Sequence, residues 1–160
     1  ALSLNRDYPQ ARNNDGVLLF RLKRYKEAIE QFEIAANDLS YDRREVALDY
    51  VARIALMLNN KEKAYASFER LLRLSPRAFE PALALAQLAY DDKKYDEAAR
   101  YYQKFLRNLG KQRQSAASLW LGIRLARLKK DIDTIASYEL VLREFYPQSS
   151  EYQEYLKTRP

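Results

Sequence analysis

The 160-residue sequence contains no histidine and no cysteine. Without these residues, neither a Ser-His-Asp nor a Cys-His nucleophile system can form. A zinc site made from His or Cys ligands is excluded as well. The absence of cysteine also means that disulfide content gives no information about the redox compartment. Only three glycines are present, which leaves no room for a glycine-rich phosphate-binding loop.

Carboxylate pairs are the remaining candidates for catalysis. Asp91 and Asp92 are expected at a helix end, and Asp131 and Asp133 at a helix start, where the helix dipole favours negative charge. A general acid needs a desolvated carboxyl group, and neither pair has a visible reason to be desolvated. The sequence therefore predicts a protein that is not an enzyme and that needs no cofactor, metal or small-molecule substrate.

The positive charge is concentrated in one segment of the chain. The net charge is +6, from 28 basic and 22 acidic residues. Nine of the basic residues and no acidic residue lie between Arg100 and Lys130, so the rest of the chain is slightly acidic. No run of about 18 apolar residues occurs, and no segment is predicted to cross a membrane.

Small and aromatic residues recur with a period near 34. Four small residues mark the repeat: Gly16, Ala52, Ala86 and Gly122. They are followed at fixed spacing by Ala28, Ala64, Ala98 and Thr134, and one helical turn later by Phe32, Phe68, Tyr102 and Tyr138. This is the tetratricopeptide pattern, in which small residues let two antiparallel helices approach closely and an aromatic ring fills the space beside them. Thr134 departs from it, and its hydroxyl is expected to bond to a carbonyl one turn earlier.

The repeat predicts an all-α tetratricopeptide solenoid, formed by one domain over residues 1–160. Its repeats are expected at about 9–42, 45–78, 79–112 and 115–148, followed by a capping helix at 149–158 with Ser149 or Ser150 as its N-cap. Within them, helices are predicted near 10–22, 25–39, 43–58, 61–74, 79–91, 95–108, 115–129 and 131–145. Residues 1–8 match the end of an earlier repeat, so the chain is expected to be a fragment of a longer protein.

The C-terminal third resembles a particular family. The segments SLWLGIR (118–124), AxxKKDxD (126–133) and LREFYPQSSEYQ (142–153) are similar to the PilF/PilW family, the pilotin-type lipoproteins of type IV pilus assembly. The resemblance implies a lipid-anchored protein at the periplasmic face of the outer membrane. It also implies that the partner is the pilus secretin subunit, which such proteins help to reach that membrane and to assemble into a multimer. The chain lacks the cysteine that would carry the lipid, as a truncated start would require.

The first helix of each repeat is expected to line a concave groove that suits a peptide with apolar anchors. The predicted groove residues are Asn13, Val17, Phe20, Arg53, Leu56, Met57, Leu83, Gln87, Tyr90, Leu119, Ile123 and Arg127. Phe20 and Tyr90 occupy equivalent positions and are the leading candidates for exposed anchors. Some of the apolar members are expected to pack against neighbouring repeats instead.

The basic segment provides a second candidate surface. Its predicted members are Arg100, Lys104, Arg107, Lys111 and Arg113. It can be a solvated face, or it can meet an acidic patch on the secretin or an anionic membrane surface. Nucleic acid is disfavoured, because acidic residues occur throughout the rest of the chain and no base-reading pair recurs. The alternative to a pilotin is a general tetratricopeptide adaptor or co-chaperone in another assembly pathway.

Overall fold

The computed structural model describes residues 8–160, and all the regular elements in that range are α-helices. They are α1 (Pro9–Arg21), α2 (Tyr25–Asn37), α3 (Arg44–Met57), α4 (Lys61–Leu74), α5 (Glu80–Asp91), α6 (Tyr95–Leu109), α7 (Ala116–Leu128), α8 (Ile132–Phe145) and α9 (Ser150–Thr158). The predicted all-α fold is confirmed, and the largest boundary difference is at the end of α2. The repeat remnant predicted at 1–8 falls, apart from Tyr8, outside the described residues.

The helices group into two compact units, one ending at Leu85 and the other beginning at Ala86, within α5. In the first unit, α2 packs against both α1 and α3, and α3 packs against α4. In the second unit, α7 packs against α6 and α8, while α9 contacts both α7 and α8. Each unit is therefore built from helices that are neighbours in sequence, as helix-pair repeats require. One domain over residues 1–160 stays a prediction.

The glycines at the repeat positions lie where two helices approach closely. A Cβ atom added to Gly16 would lie 2.8 Å from Cε1 of Phe32, so that the ring of α2 would have to move. A Cβ atom added to Gly122 would overlap the Tyr102 hydroxyl and the Tyr138 ring. The predicted contact between a small residue and an aromatic ring is thus confirmed for the first and fourth repeats. The corresponding alanines Ala28, Ala52, Ala64, Ala86 and Ala98 are fully buried.

The turns inside the four helix pairs share one backbone conformation. Lys23, Asn59, Lys93 and Lys130 all have positive φ values, between 56° and 61°. In the third of these turns, the Lys93 amide donates to the Tyr90 carbonyl and the Lys94 amide to the Ala89 carbonyl. The other three turns repeat this pair of bonds, which is the Schellman arrangement that ends many helices. A recurring left-handed residue therefore sets the reversal between the helices of a pair.

Side-chain caps define several helix starts. Ser149 Oγ accepts from the Tyr152 amide at 3.1 Å, so Ser149, of the two candidates, is the N-cap of α9. The expectation for Thr134 is wrong. Its hydroxyl donates to Asp131 Oδ2 at 2.6 Å, since Asp131 is the N-cap of α8 and its carboxylate lies over the first turn. The hydrogen bonds from Thr134 also lower the pKa of Asp131.

Replacement of Lys93 by glycine should stabilise the protein. A left-handed conformation costs a non-glycine residue about 1 kcal/mol, which glycine avoids. The free energy of unfolding, measured by urea titration, should rise by about 1 kcal/mol in Lys93→Gly. Lys94 has φ −90° and serves as the control, because Lys94→Gly relieves no strain and should lower stability. Equal effects of the two substitutions would contradict this interpretation.

Replacement of Gly122 by alanine should destabilise the protein despite the better helix propensity of alanine. The added methyl group would overlap rings from two helices, and such overpacking outweighs a propensity gain of about 1 kcal/mol. The expected loss is about 2 kcal/mol in the urea titration. The Tyr102 hydroxyl is the nearest obstacle, so Tyr102→Phe in the same chain should lessen the additional loss. If the losses of unfolding free energy from Gly122→Ala and Tyr102→Phe simply add, the added methyl group does not meet the Tyr102 hydroxyl.

Candidate protein-binding surfaces

The predicted groove residues of the first unit divide between core and surface. Asn13 is buried, which corrects its assignment to an open groove. Val17 and Leu83 are half-buried. Phe20 is half-buried too, and its ring packs edge-on against Tyr25 and Tyr50, with centroids 5.5 Å apart in both cases. Phe20 is therefore a member of an aromatic cluster rather than a freely exposed anchor.

The outward face of α3 is the exposed part of this predicted surface. Arg53 forms a salt bridge of 2.7 Å with Asp49, and its guanidinium lies 5.0 Å from the Tyr50 ring centroid. Leu56 and Met57 follow on the same side of the helix, with 40% and 52% of their surfaces exposed. Two adjacent apolar side chains beside a charged pair can supply both burial and orientation to a bound segment. We call Arg53, Leu56 and Met57 the α3 face.

In the second unit, two of the predicted groove residues belong to the core. Leu119 and Ile123 are buried in a cluster with Leu142 and Tyr155. They lie on α7, and α9 packs against that helix and contributes Tyr155 to the same cluster. The assignment of both residues to an open groove is therefore wrong. The predicted capping role of α9 is confirmed by the same contacts.

A cluster of arginine and aromatic side chains around Trp120 includes three of the predicted groove residues, Gln87, Tyr90 and Arg127. Arg124 lies 4.8 Å from the Tyr90 ring centroid and 5.1 Å from that of Trp120, and its Nη2 donates to Gln87 Oε1 at 3.2 Å. Arg127 lies 5.3 Å from the Trp120 ring centroid, and its Nη1 donates to Thr158 Oγ1 at 2.9 Å. Burial lowers the pKa of Arg124, but an arginine remains protonated. Arg124 therefore keeps its positive charge beside the rings of Tyr90 and Trp120.

Three members of this cluster are absent from the predicted groove: Trp120, Arg124 and Tyr155. The spacing of Trp120, Arg124 and Arg127 places them along one side of α7. This spacing could have indicated from the sequence that the three side chains share one surface. Tyr155 is different, because its contact with Arg127, 5.5 Å from cation to ring centroid, depends on how α9 folds back. Tyr90 is half-buried, and its ring packs 5.2 Å from that of Tyr95. It thus repeats the Phe20–Tyr25 contact of the first unit.

The predicted basic face is divided. Arg100, Arg107, Lys111 and Arg113 are exposed and Lys104 is half-buried. Arg113 lies 3.8 Å above the Phe145 ring, at the end of α8. Arg100 and Arg107 instead line a cleft together with Lys129, a residue outside the predicted set. The positive charges therefore do not act as one continuous surface.

No cluster of three or more potential metal ligands occurs in the part of the chain that the structure describes. Among residues 8–160, none of the helices has the length and apolar character that crossing a bilayer requires. The described surface thus offers apolar, aromatic and cationic side chains on helical faces. Such surfaces are chemically suited to binding protein segments.

The comparison with protein families agrees with the repeat geometry. The tetratricopeptide repeat family matches residues 1–42, 51–113 and 83–150. The chain belongs to the tetratricopeptide repeat family. That family's sequence pattern accounts for the helix pairs, for the close contacts at Gly16 and Gly122, and for the repeated turns.

The similarity to individual proteins is more specific. The chain is 39% identical over 143 residues to the type IV pilus assembly protein PilF of Pseudomonas aeruginosa strain PAO1. The match covers 89% of this chain and 56% of PilF, so the chain spans a little over half of that relative. The predicted resemblance to the PilF/PilW family is confirmed.

Two solved structures support the same relationship. That of P. aeruginosa PilF has a TM-score of 0.88 and 36% identity, covering 99% of this chain and 70% of that one. That of PilW, a widely conserved type IV pilus biogenesis factor, has a TM-score of 0.75 and 25% identity, covering 97% and 70%. The tetratricopeptide arrangement of this chain is thus shared with two pilus proteins.

Replacement of Tyr155 by alanine should loosen the end of the tetratricopeptide array. The side chain is buried, so its removal should cost about 3 kcal/mol or more in the free energy of unfolding. Trp120 is the sole tryptophan and packs against the same cluster, so its fluorescence emission should move to longer wavelength as water reaches the ring. The exposed Tyr8 is the control, and Tyr8→Ala should change neither quantity. An unchanged spectrum of Tyr155→Ala would contradict the covering role of α9.

Proposed function

We propose that the protein is a non-catalytic scaffold of type IV pilus biogenesis that binds the pilus secretin subunit. In this role it assists the outer-membrane localisation of the secretin and the assembly of its multimer. The observation that carries the proposal is the 39% identity to PilF, combined with a TM-score of 0.88 to its structure. The full-length protein is proposed to act at the periplasmic face of the outer membrane, held there by a lipid anchor outside this chain.

The proposed contact is made by side chains rather than by a reactive group. The α3 face offers Leu56 and Met57 as apolar anchors, and the flexible thioether of Met57 can adapt to an irregular partner. Arg53 is already held by Asp49 and Tyr50, so less side-chain entropy is lost when a partner binds it. These properties support recognition of an apolar segment with a polar edge.

Isothermal titration calorimetry with purified secretin subunit tests the proposal. The native chain should bind, and Leu56→Gln combined with Met57→Gln should weaken binding by about tenfold or more, because buried apolar anchors dominate such interfaces. Glutamine keeps the helix propensity, and both positions are exposed, so the fold should be retained.

A matched double variant, Ile34→Gln with Leu39→Gln, removes exposed apolar side chains elsewhere in the first unit. It should bind as the native chain does. If both double variants bind the secretin subunit with native affinity, the α3 face is not the contact. Absence of binding by the native chain would count against the secretin as the partner.

A further inference from the structure

A cleft of about 610 Å³ lies on the second unit, between α6 and the end of α7. One wall is the side of α6 from Tyr95 to Arg107, a length of about 18 Å at the rise of an α-helix. The opposite wall includes Leu125, Leu128 and Lys129. None of the residues that line the cleft belongs to the α3 face or to the cluster around Trp120.

The walls of the cleft carry unbalanced positive charge. Arg100 and Arg107 stand on one wall, two helical turns or about 10 Å apart, and Lys129 stands on the other. Asp96 is the one acidic residue among those that line it. Within residues 8–160, neither Arg100 nor Arg107 forms a salt bridge or a side-chain hydrogen bond, whereas the charge of Lys129 also acts on Asp131. Two guanidinium groups are therefore available to an anionic partner.

Apolar surface lies between these charges. Leu125 is buried, while Leu128 is 50% exposed and Tyr95 is 39% exposed. Ala99 adds only a small side chain to the α6 wall, which leaves the room that a larger group would fill. A lipid headgroup or a free anion would use the cations but not this apolar surface. A protein segment with both acidic and aliphatic side chains would use both.

We propose that this cleft binds an acidic amphipathic helix of a partner protein. Two carboxylates seven residues apart on such a helix match the spacing of Arg100 and Arg107. Leucine-like side chains between them fill the space against Leu128 and Tyr95. The cations provide orientation and rapid association, and the apolar contacts provide most of the affinity. The proposal does not depend on the role in pilus assembly, because it concerns a different surface.

Fluorescence anisotropy with a labelled synthetic peptide tests the cleft directly. The probe is a helical peptide of about 15 residues, with two glutamates seven residues apart and leucines at helical spacing between them. The native chain should bind it. Arg100→Glu with Arg107→Glu should weaken binding by about tenfold or more, because like charges then face each other across the interface. Leu128→Gln should also weaken it.

The matched control is Arg73→Glu with Arg77→Glu, which changes the net charge equally at exposed positions of the first unit. This variant should bind the peptide as the native chain does. Circular dichroism should show native helix content in every variant. If the first double is unfolded, Arg100→Gln with Arg107→Gln replaces it, with the same expected direction.

Several results would overturn the proposal. One is an equal loss of peptide affinity in both charge-reversal double variants, which would indicate general attraction between opposite net charges. Another is equally tight binding of a peptide with lysine in place of both glutamates. A third is binding to phosphatidylglycerol vesicles that depends on Arg100 and Arg107 while the peptide does not bind, which would assign the cations to a membrane surface. The Leu56→Gln/Met57→Gln variant should retain peptide binding, so failure of this proposal is distinguishable from failure of the secretin proposal.

Discussion

The close contact between a small residue and an aromatic ring is the constraint on which the helix pairs depend. At Gly16 the neighbour is Phe32 of the paired helix, and at Gly122 the neighbours are Tyr102 and Tyr138. Gly122 therefore ties a helix both to its own partner and to the preceding helix. Because these sites have no spare volume, they fix the distance between helix axes, and that distance fixes which side chains reach the surface.

The same constraint determines where binding chemistry is available. Buried positions are filled by alanine, leucine and aromatic rings, so recognition is left to the outward sides of the helices. On those sides, cations repeatedly lie over rings, as with Arg53 over Tyr50 and Arg124 over Trp120. These contacts hold long side chains in defined positions before a partner arrives. An array of this kind binds by presenting preformed surfaces, which lowers the entropic cost of association.

The sequence was sufficient for most of the fold because the signals are local and repeated. Helical periodicity and the small-then-aromatic spacing depend on residues within one repeat, and their recurrence in four repeats reinforces the assignment. A serine cap for the last helix was predictable from local sequence, but the choice of Ser149 over Ser150 was not. The hydroxyl of Thr134 was not, because its choice between a carbonyl and the Asp131 carboxylate depends on the rotamers at the helix start.

The sequence by itself determined the all-α repeat, the contacts at Gly16 and Gly122, and the similarity to the PilF/PilW family. It did not determine which groove positions are open. Ile123 occupies the repeat position of the exposed Arg53, yet it is buried with Leu119 in a cluster that includes Tyr155 of α9. Likewise, only the packed structure separates Arg113, stacked on Phe145, from Arg100 and Arg107 in their cleft. Repeat spacing specifies neighbours along the chain, whereas exposure depends on contacts between residues far apart in it.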